Sequence, residues 1–406
     1  MYSASAQWND EEVDNTQKAK VAIGIFSGAD FGSNSVTSQF AYSLLNGNYI
    51  DSAMKRQVSS NLKNSNRVGF NFNYGLYAVF YNDTIKKKRV FNFFVAIKHK
   101  DYFNAGFTND DFNLAFNGNA SFAGKTTFIS PLSINSLSYQ QAEVGLVCTN
   151  FGGNAQFGIG LSFLAGQQYT AFNATGASLY TDTYGQYLTL NTNAQAWISD
   201  TSKGYLKRLN GMGASMDLYF RAPYKVRSKK GTISVSVSDI GFLWWNNHSI
   251  TYQKDTTYNY SGISINSISD LQNANFHSLS KDSLQNKYLP FTKQAFYAPI
   301  PTTLAVNTNT ALSEKFHLEI GYWNIFNAND VGYIYAQGDK YFSHGWMTAL
   351  QLGYGDYTTI NAALVLAKEF KTCRFNIAVN HLQGVIVPSK FGGAGAYAEF
   401  VYLFGK

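Results

Sequence analysis

Residues 393–404 read GAGAYAEFVYLF, and this stretch decides the fold class of the 406-residue chain. Side chains in an extended strand alternate between two faces with a period of two. One face of this segment carries only apolar side chains, those of Ala394, Ala396, Ala398, Phe400, Tyr402 and Phe404. The other face carries Gly393, Gly395, Tyr397 and Glu399. Strands with one apolar face are the units from which membrane β-barrels are built.

The same alternation recurs along the chain, notably in residues 67–81, 155–166, 211–222, 232–238 and 316–323. We therefore predict an all-β fold, a single transmembrane antiparallel β-barrel of about 14 strands with short helices in loops or lumen. The predicted strands are 18–27, 67–81, 89–99, 136–148, 155–167, 209–222, 231–245, 297–310, 316–325, 331–341, 345–354, 358–369, 374–386 and 393–404. The loop 169–208 has room for another hairpin, so the prediction covers 12–16 strands.

Composition supports a barrel. Aromatic residues make up 16% of the chain and charged residues only 14%, whereas a soluble domain carries about 25% charged residues. Thirty-four glycines and only six prolines suit many long strands. The sequence contains no run of eighteen apolar residues, which excludes transmembrane helices. A large β-sandwich or propeller is the alternative interpretation.

The lengths of the connections predict an orientation. Short basic turns at 82–88, 224–230 and 370–373 alternate with long connections at 28–66, 100–135, 169–208 and 246–295. Outer-membrane barrels have short periplasmic turns and long outer loops, so we place the basic turns in the periplasm. Both ends of an even-stranded barrel then lie there too, and 393–404 pairs with the strand near 18–27.

The predicted location is the bacterial outer membrane. Residues 1–17 are interpreted as an export remnant and periplasmic segment, because Ala4, Ser5 and Ala6 resemble the small residues before a signal-peptidase site. Residues 18–406 form the barrel in this interpretation. The net charge of +7 indicates anionic partners or an anionic surface. The basic clusters lie between strands, which favours solvated hairpin tips over nucleic-acid binding.

One strand changes face along its length. Residues 232–238 place Ile233, Val235 and Val237 on one face, but after Asp239 the apolar residues continue on the serine face. A β-bulge inserts one extra residue and would produce this switch. We assign Trp244, Trp245, Trp323 and Trp346 to an aromatic girdle at the membrane interface.

Two long connections contain helical spacing, at residues 50–65 and 267–286. They are either a lid or plug over the barrel mouth, or ordered loops that cap strand edges.

No recognised catalytic, metal-binding or cofactor motif occurs, and we predict a non-enzymatic protein without a cofactor. The candidate functional residues are polar strand residues that face the lumen, because ionisable groups within a membrane segment mark functional sites by default. They are Lys98, Asp217, Arg221, Asp239, Glu319 and Glu399. The alternative is a structural role, in which these charges pair and hold the wall open.

Several short stretches resemble outer-membrane barrel domains of unknown function from Bacteroidota. They are Ile50 to Leu62 with Asn66, residues 116–124, Gly211 to Leu218, and Ser238 to Phe242 followed by Trp244 and Trp245. More distantly, residues 299–305 and 312–318 look like the late strands of FadL-like fatty-acid transporter barrels. The resemblance implies about fourteen strands and a lumen partly occluded by the N-terminal region.

These observations favour a passive outer-membrane transporter or channel for a small, hydrophobic molecule. The alternative is a structural or interaction barrel in a type IX-like secretion or surface-assembly complex, which the FadL-like resemblance equally permits. A barrel enzyme built from lumen-mouth residues is a third class. The expected partners are membrane lipid and outer-membrane proteins or lipoproteins, and not nucleic acid.

Overall fold

The structure is a computed structural model that describes residues 19–82, 90–149, 154–200, 209–261 and 291–405. Within this part of the chain, twenty strands follow one another. They are β1 Val21–Ser33, β2 Asn66–Phe80, β3 Val90–Phe107, β4 Lys125–Phe128, β5 Leu132–Thr149, β6 Gln156–Ala174, β7 Ser178–Thr181, β8 Leu188–Ile198, β9 Gly211–Val226, β10 Lys229–Trp245, β11 Ile250–Tyr260, β12 Thr292–Lys293, β13 Phe296–Pro299, β14 Thr302–Ser313, β15 Phe316–Phe326, β16 Tyr333–Tyr341, β17 Trp346–Tyr354, β18 Ile360–Glu369, β19 Cys373–Asn380 and β20 Ala394–Phe404.

Fourteen of these strands close into an antiparallel barrel, which confirms the predicted fold. Its order around the wall is β1, β2, β3, β5, β6, β9, β10, β14, β15, β16, β17, β18, β19 and β20. The last strand pairs with the first, from Val21 opposite Phe404 to Phe31 opposite Ala394, as the sequence predicted.

The wall is apolar on its outside. In β20, Phe400, Tyr402 and Phe404 are 39–45% exposed, whereas Tyr397 and Glu399 on the opposite face are buried. The same parity exposes large apolar side chains on neighbouring strands, including Ile25, Leu76, Ile97, Val144 and Leu161. This outward apolar face is what contact with lipid requires.

The predicted bulge is present. The pairing of β10 with β9 shifts register between Val237 and Ile240, where Asp239 adopts a left-handed backbone with φ of 62°. Ser238 and Asp239 both become buried, and Ile240, Phe242 and Trp244 continue the outer face.

The two ends of the barrel differ. At one end, which we call the inner end, short turns join neighbouring strands. There the backbone N–H of Lys20 donates a 2.8 Å hydrogen bond to the carbonyl oxygen of Phe404. We call the opposite end the outer end. The outer end carries helices α1 Ser38–Leu45, α2 Ser52–Asn61, α3 Asn109–Asn117 and α4 Leu382–Ile386. None of the helices in the described residues is long and apolar enough to cross a membrane.

A small extension of the same sheet lies at the outer end of the wall. It contains β4, β7, β8, β11 and β12, and it joins the barrel where β8 pairs with the last residues of β6. The hairpin of β7 and β8 therefore lies within the predicted loop 169–208, but it adds no strand to the barrel.

Several predicted boundaries need correction. The strand predicted at 374–386 ends at Asn380, because His381 turns into the left-handed region with φ of 54° and α4 follows. The strand predicted at 297–310 is divided between β13 and β14. The predicted helix in 50–65 is confirmed as α2. The basic turn at Lys86, the export segment 1–17 and the helical stretch 267–286 lie outside the described residues.

The lumen beside β3, β5, β9 and β10 is filled in layers. Towards the inner end, Phe94, Val147 and Tyr219 belong to an apolar cluster. Towards the outer end, a second apolar cluster contains Tyr139, Leu164, Leu243 and Trp245. Three of the charged residues predicted from the sequence, Lys98, Asp217 and Asp239, lie between these two layers.

Candidate functional site

The strand alternation brings three of the six predicted lumen residues into one buried cluster. Lys98 is 7% exposed, and Asp217 and Asp239 are each 3% exposed. They share this layer with Lys100, Gln141 and Glu143, which the sequence analysis missed. We call these six residues the lumenal belt.

Two ion pairs form the centre of the belt. Lys98 Nζ lies 2.5 Å from Glu143 Oε2 on β5, and Lys100 Nζ lies 2.5 Å from Asp239 Oδ2 on β10. Three strands, β5, β6 and β9, separate β3 from β10 around the wall. The second ion pair therefore crosses the lumen as a chord and narrows it at this level.

The bulge in β10 presents Asp239 to its partners. Its backbone N–H donates to Asp217 Oδ1 at 2.6 Å, and its Oδ1 accepts from Gln141 Nε2 at 3.1 Å. Gln141 also donates to Ser162 Oγ at 2.8 Å. Buried charges are tolerated where ion pairs and hydrogen bonds compensate them, and this network supplies both.

The other three predicted lumen residues lie apart from the belt. Glu399 is buried and accepts a hydrogen bond from Tyr77 Oη at 3.0 Å. Glu319 accepts from Tyr335 Oη at 2.6 Å, and Arg221 donates to Thr232 at 3.3 Å. Each has a local partner on the wall, which is the arrangement expected of a structural role.

The girdle assignment is wrong for two of the four tryptophans. Trp244 is 53% exposed and Trp346 is 43% exposed, as a lipid-facing girdle requires. Trp245 is fully buried and stacks on Tyr169 with ring centroids 5.6 Å apart. Trp323 is 7% exposed and packs on Tyr333. Both follow an outward-facing aromatic residue, so the alternation turns them into the lumen.

An apolar groove lies on the outside of the wall at its outer rim. Its floor is formed by outward-facing residues of β1, β2, β3 and β5, namely Phe31, Val68, Phe70, Phe103, Ala105, Phe107, Leu132 and Ile134. Its other side is formed by Phe40, Ala41, Leu44 and Leu45 of α1 and by Phe112, Leu114, Ala115 and Phe116 of α3. The groove has a volume of about 750 Å³, within the range of about 300–1,000 Å³ found for small-molecule sites.

Local sequence explains why the helices form here. Thr108 and Asp111 make a reciprocal capping box at the start of α3, and Thr37 caps α1 by accepting a hydrogen bond from the N–H of Phe40. The rings of Phe40, Phe112 and Phe116 then meet with centroids 4.7–5.6 Å apart. Val58 of α2 joins this cluster, so all three helices are held against the wall.

A second cavity of about 440 Å³ opens inside the outer mouth. Amide side chains and aromatic rings line it together, including Asn104, Asn135, Asn329, Tyr169 and Phe296. Ile134 borders both this vestibule and the external groove, because the wall formed by β3 and β5 separates the two.

A potential metal-ligand set lies elsewhere on the outer rim. One ligand atom each from Asp30, Asp356 and His381 lie within 4.8 Å of one another. His381 Nε2 is 3.1 Å from Asp30 Oδ2, whereas the buried Nδ1 has no hydrogen-bond partner. A metal-bound histidine usually donates its other N–H to an acceptor, so this geometry fits a histidine that donates Nε2–H to Asp30 better than a metal ligand.

The same rim holds titratable loop residues. Burial raises the pKa of Asp330 to about 8, and the neighbouring Asp356 adds to the rise. Burial likewise raises the pKa of Asp356. Burial alone would lower the pKa of His381, but the carboxylate of Asp30 raises it above its usual value. Arg67 supports the cluster by donating to the backbone carbonyls of Asp356 and Thr358 at 2.8 and 2.7 Å.

The sequence profile of a family described as "Family of unknown function (DUF5723)" matches residues 13–380. No curated protein matches the chain. Among solved structures, the chain is similar to a TodX monoaromatic hydrocarbon channel mutant, at 7% identity and a TM-score of 0.46 over 95% of this chain and 90% of that one.

Two further structures show the same barrel similarity. A Pseudomonas aeruginosa FadL homologue shares 10% identity and a TM-score of 0.44 over 96% of this chain and 91% of that one. The translocator domain of the autotransporter NalP from Neisseria meningitidis shares 10% identity and a TM-score of 0.36 over 100% and 95% of the two chains. At such identities the similarity concerns the fold and not the cargo.

Proposed function

The chain belongs to DUF5723, a family of unknown function, and from this premise we propose that it is a bacterial outer-membrane barrel that captures a small hydrophobic molecule and passes it inward. The observation that carries the proposal is the apolar groove between the outer wall and helices α1 and α3. Apolar pockets of this size, with few polar groups, are typical of sites for small ligands.

The groove is placed to receive molecules from the membrane. Its floor continues the outward-facing rows that begin with Ile25, Leu76 and Ile97 lower on the same strands. A hydrophobic molecule in the outer leaflet could therefore reach it without leaving an apolar surface. Transfer of apolar area out of water stabilises the bound molecule by roughly 25 cal/mol per Å².

The lumen supports a selective route rather than a wide aqueous pore. A molecule that passes over the outer ends of β3 and β5 enters the vestibule next to Ile134. Closer to the inner end lies the outer apolar cluster, followed by the lumenal belt. Within the belt, the ion pair of Lys100 and Asp239 crosses the lumen. Passage along this side requires this ion pair to open, which suits a gated transporter.

The proposal is tested by ligand binding to the full chain in phosphatidylcholine nanodiscs. Fluorobenzene, followed by fluorine NMR, is expected to bind saturably to the wild type. Ala105→Trp places a large ring in the groove and is expected to weaken binding at least tenfold, about the effect of 1.4 kcal/mol. Val144→Trp on the lipid-facing part of β5 is the matched control and is expected to leave binding unchanged.

Transport is measured with the same variants in liposomes. Wild type and Val144→Trp should admit the probe faster than empty vesicles, and Ala105→Trp should not. The proposal is wrong if binding to the wild type does not saturate, or if both variants behave alike.

A second candidate function follows from exposed apolar side chains on the outer loops. Tyr42, Leu44 and Leu45 of α1 are 51–77% exposed, and Tyr49 after it is 85% exposed. Such side chains in one region can dock a partner. We propose an outer-membrane protein or lipoprotein of a secretion or surface-assembly complex as this partner. Copurification from native membranes that is lost on Leu45→Ser and Tyr49→Ser would favour this function.

A further inference from the structure

Cations are concentrated at the inner end of the barrel. Among the described residues there, the turns and the two terminal residues of each strand contain ten Lys and Arg side chains against Glu314 and Glu369. The ten are Lys20, the four basic residues within 225–230, Lys315, Lys340, Lys368, Lys371 and Arg374. Arg374 faces the lumen, and we call the other nine the basic rim.

The outer end is different. Counted in the same way, the described outer connections and the two terminal residues of each strand contain eight Lys and Arg side chains and eight Asp side chains. The net positive charge of the described residues therefore comes from the inner end of the barrel. It is not spread evenly over the surface.

Aromatic rings fix the height of part of the basic rim. Lys368 Nζ lies 4.9 Å from the ring centroid of Trp346 and 5.1 Å from that of Phe370. Lys340 Nζ lies 5.3 Å from the centroid of Phe342. These three rings are 43–51% exposed at the lower edge of the apolar wall. Aromatic residues at a membrane edge lie at headgroup level, so the two ammonium groups lie there as well.

The basic rim also follows the circumference of the barrel. Its members lie in or next to the turns that join β9 to β10, β14 to β15, β16 to β17 and β18 to β19, and at Lys20, the residue before β1. An acidic peptide would cover one part of such an arc, whereas the lipids around a barrel meet all of it. We propose that the basic rim binds the phosphate groups of anionic phospholipids in the leaflet next to the short turns. This inference does not depend on the apolar groove.

To test this proposal, the full chain is reconstituted in bilayers of mixed phosphatidylcholine and phosphatidylglycerol. It is then extracted together with its surrounding lipids as nanodiscs, with an amphipathic polymer that solubilises the bilayer. The extracted lipid is expected to be enriched in phosphatidylglycerol relative to the bulk, with a preference of up to about fivefold at each headgroup site that contacts one cation. Raising the salt to about 1 M should remove the enrichment, because exposed charges are then screened.

Two triple variants test the residues independently. The first variant combines Lys340→Gln, Lys368→Gln and Lys371→Gln, and the second combines Lys225→Gln, Lys229→Gln and Lys230→Gln. Each removes three of the nine cations of the basic rim and should remove roughly a third of the enrichment. Lys55→Gln with Lys63→Gln and Lys390→Gln removes the same charge from the outer end and should have no effect. Circular dichroism verifies that each variant keeps its β-structure.

The proposal is overturned if wild-type lipid matches the bulk composition, or if the outer triple variant lowers enrichment as much as the inner ones. If the wild type shows no lipid preference but retains a polyglutamate peptide, the rim serves an acidic protein and the lipid proposal is equally wrong. Ligand binding in the groove is measured in phosphatidylcholine alone, so the two proposals fail separately.

Discussion

Removing the cation of the cross-lumen ion pair should destabilise the barrel strongly. Lys100 and Asp239 are 9% and 3% exposed, and their charged atoms are 2.5 Å apart. In Lys100→Met, the Asp239 carboxylate stays buried beside Asp217 and keeps the hydrogen bond from Gln141. Breaking a buried pair by removing one partner costs about 3–5 kcal/mol. Because Gln141 still compensates part of the charge, we expect a loss near 3 kcal/mol.

The assay is urea unfolding of the full chain in lipid vesicles, arranged as a double-mutant cycle. Asp239→Asn should also destabilise, since it leaves the Lys100 charge unpaired; asparagine tolerates the left-handed backbone at this position. The double variant should lose about 2 kcal/mol less than the sum of the single variants, because contacting groups couple. Lys390→Met in an exposed loop is the control, expected within about 0.5 kcal/mol of wild type.

Single-variant losses below about 1 kcal/mol, or strictly additive losses in the cycle, would refute the reasoning. Either result would mean that water reaches this level of the lumen and screens the pair. The residues of the lumenal belt would then line a water-filled passage, and the ion pair of Lys100 and Asp239 would not close it.

Three further predictions concern other parts of the molecule. Trp245→Ala should cost about 3–5 kcal/mol of unfolding free energy and Trp244→Ala less than half of that, because only Trp245 is fully buried; equal losses would contradict the inward placement of Trp245. Gly145→Ala should destabilise by about 1–3 kcal/mol, since an added Cβ would lie 2.2 Å from the Phe94 ring and 2.6 Å from the carbonyl oxygen of Ile159. Gly176→Ala, whose Cβ would meet only Asn193 Cβ at 3.4 Å, is its near-neutral control. Raising the pH from about 4 to 9 should loosen the loops at Asp330 and Asp356. Because the pKa values of both carboxyl groups are raised, the native state binds more protons than the unfolded state in this range. The free energy of unfolding therefore falls as the pH rises. The raised pKa of His381 acts in the same direction, because its pairing with Asp30 is lost as it deprotonates. Hydrogen exchange of these loops, corrected for intrinsic rates, measures the effect, and greater protection at high pH would contradict it.

The sequence predicted the barrel because the period of two survives wherever lipid covers one face. All fourteen predicted strands correspond to wall strands, and the switch at Asp239 was visible as a change in apolar parity. The strand ends were harder to predict. β3 continues to Phe107 and β5 begins at Leu132, where the outward residues pack against helices α1 and α3.

The lumenal belt was only partly predictable. Lys100 was missed because the strand predicted at 89–99 stopped one residue too early, whereas Glu143 and Gln141 share a lumenal parity that strict alternation would have revealed. Strict alternation also places the adjacent residues Trp244 and Trp245 on opposite faces. The wrong assignment of Trp245 to the girdle could therefore have been avoided from the sequence. The groove was not predictable, because it depends on where α1 and α3 pack against the wall.

The seam between β1 and β20 joins residues almost four hundred positions apart, with Val21 opposite Phe404. Loop closure over such a separation is slow compared with the formation of hairpins. Until the final strand arrives, the wall has two open edges whose backbone groups lipid cannot satisfy. Insertion and closure are therefore expected to be coupled, and deletion of β20 should yield an aggregation-prone chain and not a thirteen-stranded barrel.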